Sequence, residues 1–147
     1  MSSINSITSA FYALEVDYWY DVDHNWGRKA HEFYTPAGVF VIGDKRMAGR
    51  EEVRGFYGWR EGRGERTARH VISNIRVRST GPEQATLECI MSLYAADGAP
   101  VLESRPPIMI ADIFSECVYQ GGKWLYTLHE LRPLFMGGEA PTLPPDK

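Results

Sequence analysis

Arg69-His70-Val71-Ile72-Ser73-Asn74-Ile75-Arg76-Val77 alternates like a half-buried strand, and its two faces decide how the chain is read. One face carries Val71, Ser73, Ile75 and Val77 and is mostly apolar. The other carries His70, Ile72, Asn74 and Arg76, a mixture suited neither to a dry core nor to a purely wet surface. Titratable and hydrogen-bonding groups beside an isoleucine point to the wall of a pocket that is part polar and part apolar.

The chain around this strand divides into a helical half and a β half. Residues 3–23 have helical periodicity, with Tyr12, Val16, Trp19, Tyr20 and Asp23 on one face that should point inward. A short second helix is expected from Trp26 to Tyr34, capped by Asp23 or Asn25. Thr35-Pro36-Ala37-Gly38 ends it, and Val39 to Ile42 and Lys45 to Ala48 read as a small hairpin around Gly43-Asp44. Gly49-Arg50-Glu51-Glu52 opens a third helix through about Trp59, and Arg60 to Arg69 reads as a solvated, charge-mixed loop.

Four long strand candidates follow, Thr67 to Arg78, Gln84 to Ala95, Pro107 to Tyr119 and Lys123 to Leu134, separated by Gly/Pro turn signals. Helices followed by an antiparallel meander predict an α+β fold, a curved antiparallel sheet packed on N-terminal helices. Residues 1–135 are expected to form one domain and 136–147 a Pro/Gly-rich tail. A turn at Gly121-Gly122 would set Asp112 near Leu131 and Arg132, favouring a structural contact of Asp112 with Arg132 or His129. Met91, Leu93 and Tyr119 are read as outer-face residues suited to a homo-oligomer, a dimer or trimer.

Bulk composition narrows the function classes. The 147 residues are 44% hydrophobic and 24% charged, enough for a packed core. A net charge of −3 offers no footprint for nucleic acid. No apolar run suggests a membrane span, and the first residues lack the pattern of a signal peptide, so a cytoplasmic location is expected. Cys89 and Cys117 read as buried free thiols, and the four histidines show no zinc-ligand spacing. No cofactor or metal is expected.

Three segments carry a family resemblance. Val22-Asp23-His24 followed by Phe33 to Phe40, Met47-Ala48-Gly49-Arg50-Glu51-Glu52-Val53, and Arg69 to Val77 resemble the SnoaL-like branch of the nuclear-transport-factor-2-like superfamily. Gly122-Lys123-Trp124-Leu125-Tyr126 resembles the start of that fold's last strand. The resemblance implies a cone with a central cavity. Its members include scytalone dehydratase, bile-acid dehydratase and hexachlorocyclohexane dehydrochlorinase, in which an Asp supports a proton-abstracting His. It also includes the β subunits of ring-hydroxylating dioxygenases, which are scaffolds with a similar Arg-His strand.

The resulting expectation is a cofactor-independent lyase or isomerase acting on a small apolar or aromatic molecule. His70 would be the base, Asp23 its orienter and Tyr12 or Tyr20 a hydrogen-bond donor to a carbonyl or departing hydroxyl. Tyr12, Val16, Trp19, Asn74 and His129 would line the substrate site. The alternative is a non-catalytic ligand binder or dioxygenase β-type subunit of the same fold. Capping by Asp23 and a structural role for His70 are the plain readings of those two residues.

Overall fold

The computed structural model describes residues 4–138. Helix α1 (Ile4–Asn25) is followed by a single 3-10 turn (Ala30–Phe33), strands β1 (Tyr34–Ile42) and β2 (Lys45–Ala48), and helix α2 (Arg50–Gly62). Strands β3 (Arg66–Gly81), β4 (Gln84–Asp97), β5 (Met109–Gln120) and β6 (Lys123–Met136) complete it. The strands form one six-stranded sheet in the order β2-β1-β6-β5-β4-β3, curved but not closed. Neighbours are antiparallel except β1, which runs parallel to β6 and returns the N-terminal hairpin to the meander. The fold is α+β, as its sequence pattern implies. Of the Pro/Gly-rich tail expected over 136–147, residues 139–147 lie outside the described residues.

Helix α1 buries a different stripe from the one its aromatics suggest. Phe11, Glu15, Tyr18 and Trp19 are buried, with Val22 continuing the face, at i, i+4, i+7, i+8 and i+11. Tyr12 is 52% exposed, Val16 36% and Tyr20 63%, so these three point away from the sheet. The cause is Glu15. A carboxylate in the middle of a stripe counts against burial unless it finds partners, and three partners wait here on neighbouring elements. Trp19 Nε1 donates to Glu15 Oε2 at 3.0 Å and the Tyr126 hydroxyl to Oε1 at 2.6 Å. His129 Nε2 lies 2.9 Å from the same Oε1, off the direction of its own N–H, so that contact is Coulombic rather than a directed hydrogen bond.

The expected second helix shrinks to the 3-10 turn, and its polar anchor is neither Asp23 nor Asn25. Asp21 accepts from the Lys29 backbone N–H at 3.0 Å and from Asn25 Nδ2 at 2.8 Å, freeing Asp23 for another partner.

Strand β3 resolves the mixed face described above. His70 pairs with Leu93 and Ile72 with Met91, whereas the register shifts between Ser73 and Arg76. Asn74 sits at φ 58, the left-handed conformation of a β-bulge. One extra residue reverses the alternation, so His70 and Ile72 face inward before the bulge and Ile75 and Val77 after it. Asn74 and Arg76 therefore turn to the outer face of the sheet, and Asn74 does not line the inner cavity. The same pairing buries Met91 and Leu93 inside, which corrects their expected place on an outer face. Tyr119 is 41% exposed. Asp112 stands opposite Arg132 on β6, where Arg132 donates to Glu130 at 2.9 Å and lies over the Phe114 ring.

The bulge gives a direct test. Replacing Asn74 by Val, which tolerates the left-handed region poorly, should cost about 1–2 kcal/mol in urea unfolding. Asn74→Gly should stay within about 0.5 kcal/mol of the parent or exceed it.

Candidate active site

Asp23 leaves the last turns of α1 beside the edge strand β3 and takes two hydrogen bonds from one residue. The His70 backbone N–H donates to Oδ2 at 2.8 Å and the ring Nδ1–H to Oδ1 at 2.7 Å. Only an edge strand leaves such an N–H without a ladder partner, and β3 is the last strand of the sheet. A carboxylate at Nδ1 fixes the imidazole as the Nδ1–H tautomer and leaves the Nε2 lone pair as the reactive position. The two side chains are 9% and 5% exposed, so the pair works largely out of water.

Trp19 locks the ring plane. Its indole stacks on His70 with centroids 4.2 Å apart and an interplanar angle of 11°, while its N–H is held by Glu15. Positioning thus runs from a buried carboxylate through an indole to the imidazole. Burial by itself would raise the Glu15 carboxyl. The attraction of His129 and the hydrogen bonds from Tyr126 and Trp19 outweigh it and hold the carboxyl below its ordinary range.

His70, Asp23 and Trp19 all line one cavity of about 290 Å³ between the helices and the concave face of the sheet. Its wall is mostly apolar, with Phe40, Phe56, Met91, Leu93, Met109 and Leu131 among the contributors. Of the residues expected to line it, Tyr12, Val16 and Tyr20 do not; Tyr20 is 63% exposed and stacks at 4.1 Å on His24, which does line the cavity. His129 is fully buried beneath the wall rather than in it.

The tyrosine that lines the cavity is Tyr57 on α2, a residue the sequence pattern did not single out. Gly55 and Gly58 weaken the helical signal around it, and its ring rests on a turn of unusual backbone. Gly27, at φ 69, lies so close that a Cβ there would stand 2.6 Å from Tyr57 Cδ1. The Tyr57 hydroxyl meets that of Tyr18 at 2.6 Å, Tyr18 meets Tyr34 at 2.9 Å, and Tyr34 meets His129 Nδ1 at 3.0 Å. Burial first, and then the neighbouring Tyr18 hydroxyl, push the Tyr57 phenol well above its ordinary value. Tyr57 is therefore a neutral donor across the physiological range. Among the described residues no cluster of His, Cys, Asp and Glu could hold a metal ion, and no helix is long and apolar enough to cross a membrane. Cys89 and Cys117 are both buried free thiols.

This fold and site define a class, the cone-shaped α+β proteins of the nuclear-transport-factor-2-like superfamily. The SnoaL-like domain family matches residues 11–128, and the chain belongs to that family. No curated protein matches the sequence. Among solved structures, a scytalone dehydratase-like protein from Novosphingobium aromaticivorans superposes with a TM-score of 0.80 at 18% identity, covering 95% of this chain and 91% of its own. A dioxygenase β-subunit-like protein from the same organism gives 0.78 at 10% identity, with 95% of each chain covered. A Catenulispora acidiphila protein in complex with S-DNPA gives 0.71 at 12% identity, covering 88% of this chain and 94% of its own. At these identities the likeness is one of fold.

Glu15 supplies the test of the supporting layer. Its folded pKa is depressed, so the stability it adds is fully present above the unfolded value of 4.5 and is lost as pH falls through the lower folded value. Glu15→Gln should cost about 3–5 kcal/mol at pH 7, as for removal of one partner of a buried charged pair. Thermal unfolding from pH 7 to 3 should show the gap between variant and parent closing only below 4.5.

Proposed function

We propose that this protein is a cofactor-independent lyase or isomerase that removes a proton from carbon in a small, largely apolar cyclic molecule. The observation that carries the proposal is the Asp23–His70 pair in the wall of an apolar cavity, with the ring held by Trp19. His70 Nε2 accepts the proton and Asp23 stabilises the imidazolium that results. The electron pair of the broken C–H bond becomes a C=C bond. In an elimination the adjacent C–O bond breaks, and the departing hydroxide takes the proton from the imidazolium as water. In an isomerisation the same proton returns to a different carbon. Tyr57, in place of the expected Tyr20 or Tyr12, donates a hydrogen bond to the carbonyl or departing oxygen. The volume of about 290 Å³ suits a molecule of one or two rings, at the lower edge of small-molecule pockets.

A dioxygenase β-subunit-like neighbour supports a second reading, a scaffold subunit of the same fold. The open cavity with the dyad in its wall favours the first. The exposed apolar side chains of Leu134, Phe135 and Met136 at the end of β6 support the proposal of a homo-oligomer, which we place in the cytoplasm.

Deuterium incorporation into one- and two-ring hydroxy ketones in D2O, followed by NMR, tests the chemistry. His70→Ala and Asp23→Asn should each slow exchange or elimination about 10²–10⁴-fold. Tyr57→Phe should cost about 10²-fold in elimination. Tyr12→Phe and Tyr20→Phe should remain within about twofold, since both hydroxyls lie outside the cavity. Unchanged rates in both dyad variants would remove the dyad from the mechanism.

A further inference from the structure

The cavity has a second polar end that the dyad does not use. Arg60, in the last turn of α2, and Arg66, in the first residue of β3, both line it. Neither belongs to a solvated loop, as the charge-mixed sequence around them suggests. The Arg60 side chain is 12% exposed, and its Nε, Nη1 and Nη2 are all buried without a hydrogen-bond partner; Arg66 Nε is in the same condition. The nearest carboxylate to Arg60 is Asp97 Oδ1, 3.6 Å from Nη2, too long for a hydrogen bond and on a side chain 58% exposed. Burial, reinforced by the charge of Arg60, lowers Arg66 to about 10, still a cation at neutral pH.

Two adjacent guanidinium groups with buried, unanswered donors are costly in a folded chain. Arginine presents a planar fork of donors that matches a carboxylate in bidentate fashion. Arg66, Ala68 and His70 alternate inward along one face of β3, which separates Arg66 from His70 by about 13 Å between Cα atoms. The long Arg66 side chain shortens that gap toward the dyad. A ligand with its ring beside His70 can therefore extend a charged group to the arginine end.

We propose that Arg60 and Arg66 form a carboxylate-binding subsite, so that the molecule this cavity takes is an apolar ring carrying a carboxylate. The proposal deepens the lyase or isomerase reading by naming its substrate class, and it rests on the same cavity. It also accounts for two arginines held in a wall that is otherwise mostly aromatic and aliphatic.

Equilibrium binding of 2-naphthoate and 2-naphthamide, followed by quenching of Trp19 and Trp26 fluorescence, separates charge from shape. The carboxylate should bind the parent at least tenfold more tightly than the amide, and the preference should shrink as NaCl is raised. Arg60→Gln and Arg66→Gln should each lower carboxylate affinity about tenfold or more while leaving amide affinity within about twofold. Thermal unfolding of each variant checks folding. Removing a buried cation that lacks a hydrogen-bond partner should leave Tm unchanged or raise it, and 2-naphthoate should raise the parent's Tm more than 2-naphthamide does. Equal affinities for the two ligands, no saturable carboxylate binding, or a preference that survives both substitutions overturns the subsite. Binding requires no proton transfer, so a lost preference beside a His70→Ala variant that still abolishes turnover would reject the subsite and spare the dyad.

Discussion

The double acceptance by Asp23 is the constraint on which the site depends. One carboxylate closes the end of α1 onto the free edge of β3 and fixes both the backbone and the ring of His70. That arrangement requires three separate conditions. Asp21 must take over the turn after α1, β3 must be an edge strand, and the bulge at Asn74 must come after His70 rather than before it. A bulge placed before His70 would instead point the imidazole out of the cavity.

Behind the dyad lies a buried polar layer with a positioning role. Glu15 gathers Trp19, Tyr126 and His129, and Tyr34 and Tyr18 extend the hydrogen bonds to Tyr57 on the opposite wall of the cavity. Base and donor are thus held by one network rooted in the core. A network of this kind is favourable only when nearly every member is satisfied, which is why its residues come from α1, β1, α2 and β6 together.

Much of the architecture was legible because strand and helix periods are strong signals over long elements. The hairpin, the third helix and four long strands fall where alternation and turn residues place them, and Asp23 and His70 stood out as a carboxylate and an imidazole in pocket-like settings. What was not legible came from long-range compensation. Glu15 disguises the true buried stripe of α1, so the aromatic pattern points to Tyr12, Val16 and Tyr20 as the inner face. Asn74 is the sole local mark of the bulge, a residue tolerant of the left-handed region in an otherwise regular strand, and alternation alone does not reveal the phase change. Tyr57 and Arg60 gain their setting from the docking of α2 against β1, and Arg66 from its place at the start of β3. The one usable hint was that Arg66 lies four residues before His70, on the same face of the strand.

The most direct measurement of the central claim is the tautomer of His70, read from long-range ¹⁵N–¹H correlation NMR of the labelled protein. The Asp23 contact requires a ring protonated at Nδ1, with a strongly deshielded Nδ1 proton and an unprotonated Nε2, and loss of that proton signal in Asp23→Asn. A ring protonated at Nε2, or a spectrum that Asp23→Asn leaves unchanged, would contradict it.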